Sequence, residues 1–398
     1  MAWNQRAECF ARSLFDENTG IAASVPNKPG TLYGTCYALQ TIQFLGGSYK
    51  AAKKSTDAIL SFQDPETGLF RGPELTSWKP EQGALHDETH LLLHLTCATL
   101  PVLQGFGIAP LYPLAAAHAF CDKGYLHDWL DQRDLHDAWF EGNNLLFVGQ
   151  LLVYLRDHEK FDGAREALEI WFEWLDRMID PNTGLWGTNG YCGVPNAVYG
   201  GYHQLLVYYY ENRTIRSANR LVDSVLSLQH FDGGFRPWGG GGACEDVDAV
   251  DILVNLYKRY DYRRPAIKVA LRRCVNHILS NQNSDGGFSY SKGEPYVHMG
   301  IPTTSSNVDE SGAFPTWFRV HTLALIAQVL TDHPALCDIP WSFSQHLSMG
   351  WHDNSIASPS VGRLSILGEM IPIMLWNARR GKAAARSKAR HFRSVIRG

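Results

Sequence analysis

The chain has 398 residues, 45% apolar, 12% aromatic and 19% charged, with a net charge of −4. That is an ordinary composition for a soluble globular protein, and its length allows one large domain or two. No stretch reaches about 18 apolar residues without a charge, so no membrane span is expected.

Residues Met1 to Glu8 contain no apolar core of a signal peptide, so no secretory signal is expected. Eight cysteines are scattered without a CxxC pair, mostly in apolar helical context. That pattern favours reduced, buried thiols and a cytoplasmic setting.

A turn signature recurs along the chain. It reads Asp16-Glu17-Asn18-Thr19-Gly20, Asp64-Pro65-Glu66-Thr67-Gly68, Asp180-Pro181-Asn182-Thr183-Gly184, Asp232-Gly233-Gly234-Phe235 and Asp285-Gly286-Gly287-Phe288. Asp or Asn with Gly supplies a tight turn with a positive-φ position. The steps between the first glycines are 48, 116, 49 and 53 residues. The long step holds two units, with a degenerate turn expected at Asp122-Lys123-Gly124-Tyr125.

Amphipathic helices are predicted before most turns, over Ala51 to Phe62, Ala164 to Met178, Ile215 to Gln229 and Ala266 to Gln282. After each turn comes a loop and then a helix apolar all round, which must be buried. These six helices begin near Thr31, His86, Asp137, Asn196, Glu245 and Pro315. No strand-period runs stand out between them. The pattern predicts an all-α fold, an (α/α)6 toroid of six outer-inner helical hairpins. It forms a single domain over 1–376, with Leu336 to Trp376 closing the ring.

A basic tail follows over 377–398, carrying eight Lys or Arg and no acid, so the rest of the chain carries −12 of the total of −4. Such a tail is either plainly solvated or suited to peripheral contact with anionic lipid. No nucleic-acid partner is expected.

In such a ring the inner helices gather their N-termini at one mouth, which makes that mouth the default site. Its expected lining is Tyr33 and Tyr37, then His86, Asp87 and His90, then Asn143 and Asn144. Tyr199 and His203 follow, then Asp246, Asp248 and Asp251, and finally Trp317, Arg319 and His321. The densest cluster is His86-Asp87-Glu88-Thr89-His90, with His86, Asp87 and His90 on one helix face.

The endings Leu228-Gln229-His230-Phe231-Asp232-Gly233-Gly234-Phe235 and Asn281-Gln282-Asn283-Ser284-Asp285-Gly286-Gly287-Phe288 resemble the Gln/Trp repeats of terpenoid cyclase and protein prenyltransferase toroids. Ser61 to Phe70 is a looser copy. Class II terpene cyclases of this superfamily open an inner helix with Asp-x-Asp-Asp-Thr, whose middle Asp protonates an alkene or epoxide. Leu85-His86-Asp87-Glu88-Thr89 is similar to that motif, with Leu85 in place of the first Asp. Asp246-Val247-Asp248-Ala249 is a second candidate, keeping the first and middle acids.

The resemblance implies a protonation-initiated cyclase acting on an isoprenoid or prenylated (meroterpenoid) substrate, with no cofactor and no metal. Asp87 is the first candidate acid, tuned by His86 and His90 with Glu88 beside it; Asp248, in one motif with Asp246, is the competing acid or second carboxylate. A buried carboxylic acid keeps its proton but is weakened by burial, so it needs neighbours that stabilise its conjugate base. Aromatic faces stabilise the resulting cation. Tyr37, Trp139, Phe140, Tyr199, Tyr202 and Trp317 are best placed for that, and Asn144, His203 and His321 for polar contacts to substrate.

Plainer roles stand beside these. Asp87, Asp246 and Asp248 equally suit helix capping. His86 and His90 have metal-ligand spacing, and Cys244, Asp246 and His321 resemble the zinc set of protein prenyltransferases with altered order and spacing. A carbohydrate enzyme, a glycoside hydrolase or polysaccharide lyase on an (α/α)6 toroid, is the alternative function. Paired carboxylates, His, Arg and Tyr serve a sugar equally well. A closed aromatic pocket favours the cyclase, and an open polar groove favours the sugar enzyme. A third possibility is a toroid that binds without catalysis.

Overall fold

The computed structural model describes residues 1–49, 51–76, 78 and 86–352. Among them twelve α-helices alternate between two layers. In chain order the outer-inner pairs are α1 (Trp3–Ser13) with α2 (Leu32–Phe44), α3 (Ala52–Leu60) with α4 (Glu88–Gly105), and α5 (Lys123–Asp131) with α6 (Ala138–Tyr154). They continue with α7 (Ala164–Met178) and α8 (Val194–Tyr210), α9 (Ala218–Leu226) and α10 (Ala243–Arg259), and α11 (Arg264–Ser280) and α12 (Ala313–Ala327). The even-numbered helices pack in sequence, α2 on α4, α6, α8, α10, α12 and back on α2. That closed circuit is the (α/α)6 toroid expected from the sequence.

The inner helices run parallel. Tyr33 meets His94 and Cys36 meets Thr99. His90 meets Asn144, and Gln150 meets Cys97. Tyr37 stacks on Trp317 and Phe44 on His321. In each pair both residue numbers rise together, so all six N-termini share one mouth. α6 and α8 approach closely: a Cβ on Gly142 would lie 2.4 Å from the Gly200 carbonyl oxygen. Outer helices show the amphipathic pattern that one-sided burial requires. On α7, Ala164, Ala167, Leu168, Trp171, Phe172, Trp174 and Leu175 are buried.

The recurring turns are short hairpins. β1 (Ile179–Asp180) pairs antiparallel with β2 (Leu185–Trp186), and single bridges join Phe15 to Ala22, Gln63 to Phe70 and Gln282 to Phe288. The Gln before a turn clamps it to the next unit. Gln63 donates from Nε2 to the carbonyls of Gly68 (2.9 Å) and Tyr112 (2.7 Å). Gln229 donates to Gly233 (3.0 Å) and to Ala270 on α11 (2.8 Å). Gln282 donates to Gly286 (2.9 Å) and to Trp3 on α1 (2.8 Å), joining the last outer helix to the first.

Gly68 has φ +74°, and a Cβ there would stand 2.0 Å from the Pro113 carbonyl oxygen. Gly68→Ala is therefore expected to cost about 2–4 kcal/mol from left-handed strain plus the clash. Gly124→Ala, on the exposed first turn of α5, is expected to stabilise by up to about 1 kcal/mol. Urea unfolding of both variants checks this pair.

Three expectations are corrected. Residues Asp122 to Tyr125 form no turn: Asp122 caps α5, accepting from the Tyr125 N–H at 2.8 Å, because this unit supplies its outer helix there. Among the described residues the ring is closed by α12 directly against α2, without the segment after it. The described part of that segment, 336–352, instead crosses the C-terminal mouth. Ser342 N–H donates to the Phe44 carbonyl (3.1 Å), Phe343 meets the Phe44 ring, and Met349 receives the Tyr202 hydroxyl. Trp351 meets Tyr210, and His352 meets Lys258. Residues 353–376, the basic tail and Leu85 lie outside the described residues. Finally, of the eight cysteines, all free, three are buried, three half-buried and two exposed. No helix among the described residues is long and apolar enough to cross a membrane.

Candidate active site

The N-terminal mouth is partly covered by the loop between α11 and α12. Within it β3 (Tyr296–Val297) pairs antiparallel with β4 (Ser305–Ser306), and the next residue, His298, is driven into the ring. His298 stacks on Phe314 with centroids 4.0 Å apart. Its Nε2 meets the Tyr37 hydroxyl at 2.9 Å and its Nδ1 the Tyr296 hydroxyl at 3.2 Å. A second Tyr–His pair lies alongside, Tyr33 hydroxyl to His94 Nδ1 at 2.8 Å. Loop 289–312 carries no periodic signal, so sequence reasoning did not find His298.

The two candidate acidic motifs occupy different environments. Asp87 is exposed at the rim, and its Oδ1 accepts the His90 N–H at 2.7 Å as the N-cap of α4. Glu88 is exposed and bridged to Arg71 at 2.5 Å. His86 is half-buried beside them, stacked between the rim and His90, and burial pushes its pKa down. This cluster therefore does the capping work that a solvent-facing helix start requires. Thr89 is exposed as well.

Asp246 and Asp248 are both buried, but they point different ways. Asp246 faces the outer layer, where it is ion-paired with Arg319 on α12 and lies 3.3 Å from His277 on α11. Its Oδ1 accepts the Phe235 N–H at 2.8 Å, tying the helix to its own turn. Burial alone would raise its pKa, but Arg319 and His277 outweigh that and hold it below the usual carboxylate range. Arg319 also donates to the carbonyls of Gly241 (2.8 Å) and Tyr290 (2.7 Å). Asp246 is thus a structural anchor, already committed to a cation.

Asp248 has no such partner. It is 1% exposed, and its Oδ2 finds no hydrogen bond. With Cys244, Asp251 and Asn255 it lies on one stripe of α10. That stripe lies on the side of α10 away from Asp246 and its partners Arg319 and His277, and the charge of Asp248 would raise the pKa of Tyr199 and Tyr202 on α8. Burial, then the like charges of Glu245, Asp251 and Asp246, push Asp248 well above the ordinary carboxylate value. Asp251 is pushed up to about 8 by burial, against the pull of Asn255 and Arg259. Its Oδ1 accepts from Asn255 Nδ2 (3.1 Å), while Oδ2 is unpartnered. The chain thus carries on α10 two carboxyl groups three residues apart whose charged forms burial disfavours. Asp251 was named as a lining residue but not among the candidate acids, although its spacing from Asp248 signals a shared face.

Around them stand aromatic rings. Trp317 stacks on Tyr37 at 4.7 Å, and its indole N–H has no partner. Tyr202 is buried, with its hydroxyl on the plug at Met349 (3.4 Å). Tyr199 is buried with its hydroxyl on the Phe235 carbonyl (2.9 Å), and Trp139 packs on its ring. Phe140 is half-buried and stacks on His90 at 4.5 Å. His321 lies between Phe44 and Trp317 with both ring nitrogens unpartnered, and burial lowers its pKa to about 3. His203 Nδ1 donates to the Tyr199 carbonyl (2.9 Å), and burial lowers its pKa to about 4. Asn144 is buried as a bridge between His90 and Glu141. Among the described residues no three His, Cys, Asp or Glu side chains gather in a metal-holding group.

No family model matches the chain, and neither does any curated protein. Among solved structures, the chain is similar to a glycosyl hydrolase family 88 protein from Bacteroides vulgatus. The TM-score is 0.43 and the identity 14%, over 75% of this chain and 90% of that one. It is also similar to ent-copalyl diphosphate synthase from Streptomyces platensis (TM-score 0.42, 14% identity, 76% of this chain and 50% of that one). A polysaccharide lyase gives a TM-score of 0.41 at 14% identity over 82% of this chain and 90% of that one. Likeness at that level says nothing about chemistry.

Proposed function

We propose that the protein is a general-acid enzyme that starts the cyclisation of an isoprenoid or prenylated substrate by protonation, with Asp248 as the acid. One observation carries this reading: a buried carboxyl group on α10, with no cation beside it and an unpartnered Oδ2, whose charged form burial disfavours. Burial keeps the proton available but lowers its acid strength, so a substrate with a basic acceptor such as an epoxide oxygen suits it better than a bare alkene. Tyr37, Trp317, Tyr202 and Phe140 supply faces for the developing cation. The loop at one mouth and the plug at the other limit water, which would otherwise quench it. Asp87, exposed and committed to its cap, is given no proton-transfer role. The basic tail is proposed to touch anionic lipid, which would suit a substrate that partitions into membranes.

A carbohydrate enzyme remains the second reading, favoured by the hydrogen-bonded pairs Tyr33–His94 and Tyr37–His298, which suit acid-base work on a polar substrate. The test is incubation with oligoprenyl epoxides, prenylated aromatics and oligosaccharides in the presence of EDTA, read by mass spectrometry. Isomers of unchanged mass from an isoprenoid are expected. Cleavage of an oligosaccharide without any isoprenoid conversion would transfer the site to the second reading.

A further inference from the structure

Residue His90 carries information beyond its place in the mouth. It is 4% exposed on α4, wedged against Phe140 and Phe147 of α6. A hydrogen-bond chain runs from it to the outside. His90 Nδ1 is 2.8 Å from Asn144 Oδ1, and Asn144 Nδ2 donates to Glu141 Oε2 at 2.9 Å. Arg133 Nη1 donates to the same Glu141 oxygen at 3.0 Å, with its guanidinium 4.1 Å over the Trp129 ring. The Asp134 N–H donates to Glu141 Oε1 at 3.1 Å.

This chain has only one consistent polarity. Glu141, paired with Arg133, is a carboxylate and accepts only. Asn144 must therefore turn its NH2 toward Glu141 and its carbonyl oxygen toward His90. The proton between them then belongs to His90 Nδ1. Burial keeps the ring neutral, with its pKa lowered to about 4. A neutral imidazole protonated on Nδ1 bears a lone pair on Nε2. That Nε2 is buried and has no partner. A second histidine is fixed the same way: His203 Nδ1 faces the Tyr199 carbonyl, which only accepts, so its lone pair is also on Nε2.

A buried acceptor without a donor costs free energy, and a ligand that supplies the donor recovers it. The Asp248 Oδ2 and the Trp317 indole N–H are likewise buried without a partner. We infer that His90 Nε2 is a substrate-contacting acceptor for a hydroxyl group, so that the substrate is an isoprenoid bearing an alcohol or phenol O–H, with Asn144, Glu141 and Arg133 as positioning residues that fix its tautomer. The inference rests on the isoprenoid reading for the apolar part of the ligand; the hydroxyl requirement follows from the histidine alone.

The test is calorimetric binding to the full chain of two probe pairs, a geranylated phenol with its O-methyl ether, and farnesol with its methyl ether. The wild type is expected to bind the hydroxyl member of at least one pair about 10–100-fold more tightly than the ether. His90→Phe keeps the ring packing and is expected to bind both members alike, at the ether's affinity. Asn144→Leu should shrink the preference, and Asp248→Asn should retain it. Equal wild-type affinity within both pairs, or a preference that survives in His90→Phe, overturns the inference. Nitrogen-15 NMR of labelled histidine in the wild type gives a second readout independent of any variant's folding: His90 is expected as the Nδ1–H tautomer, and an Nε2–H form overturns the assignment. Failure of cyclisation with the preference intact would sink only the cyclase reading. Cyclisation with no loss of preference in His90→Phe would sink only this one.

Discussion

Asp248→Asn is expected to lower turnover by about a thousandfold or more while leaving the fold intact. A positioned general acid contributes about 10²–10⁴-fold, and Asn has the shape of a protonated carboxyl without a transferable proton. Asp87→Asn is the matching control. Asn caps a helix as well as Asp does, so activity within about twofold of wild type and near-unchanged stability are expected there. The same chemistry has a signature in stability. Asp251 holds a folded-state value of about 8 against an ordinary 3.8, and Asp248 is raised as well. The native state therefore binds more protons than the unfolded chain across that interval, and stability falls as pH rises through it. Removing the titration by Asp251→Asn is expected to stabilise the protein at pH 8 by about 3–5 kcal/mol at roughly 1.4 kcal/mol per unit, with the gain fading to nothing near pH 4. Urea unfolding of wild type and variant from pH 4 to 8 measures it. A pH-independent difference would mean that Asp251 is ionised in the folded protein.

Arg319→Met is expected to destabilise the protein by about 3–5 kcal/mol, the usual cost of stranding one member of a buried ion pair. Arg319 and Asp246 are both fully buried. Loss of the guanidinium leaves Asp246 with only His277 nearby to offset its charge, and the Tyr290 carbonyl without its donor, while the Gly241 carbonyl keeps His277. Two further outcomes identify the mechanism. In wild type, Asp246 is held below its ordinary value, so its contribution is present above about pH 4 and fades as pH falls through its folded value. In Arg319→Met, Asp246 should instead prefer its neutral form, so the variant regains stability as pH falls. Adding Asp246→Asn should recover part of the loss at neutral pH, measurable by the same unfolding experiment. Full additivity of the two substitutions would show that they do not interact.

The fold was legible because two periodicities are written into the chain. Apolar residues all round a 13- to 18-residue stretch mark inner helices, and Asp-Gly turns punctuate the units. The inner-helix starts expected near Thr31, His86 and Asp137 lie within two residues of the observed caps at Thr31, Asp87 and Asp137. The third unit misled because Asp122-Lys123-Gly124 has turn composition, yet Asp122 works as an N-cap and Gly124 is tolerated on an exposed helical turn. The site was legible only as a set of residues near one mouth. Whether a carboxyl is an anchor or an acid depends on which side of α10 it faces and what stands opposite. Asp246 and Asp248 are two positions apart, so they lie about 200° apart around the helix. Arg319, 73 residues from Asp246, decides the difference, and no local pattern announces it. His298 was missed for the same reason: its placement is set by β3 and β4 and by Tyr37, 261 residues away.

The clamp between Gln282 and the Trp3 carbonyl has a consequence for how the chain is made. Helix α1 docks on α12 and is tied to the end of α11, so the ring joins residues 279 positions apart. Through most of synthesis, α1 and α2 have a neighbour on one flank only, and the apolar face of α2 that α12 will cover stays bare. The ring cannot be finished in stages, because its first element waits for its last. A chain cut before α12 is complete at Ala327 leaves that face of α2 uncovered, an adhesive, half-built crescent.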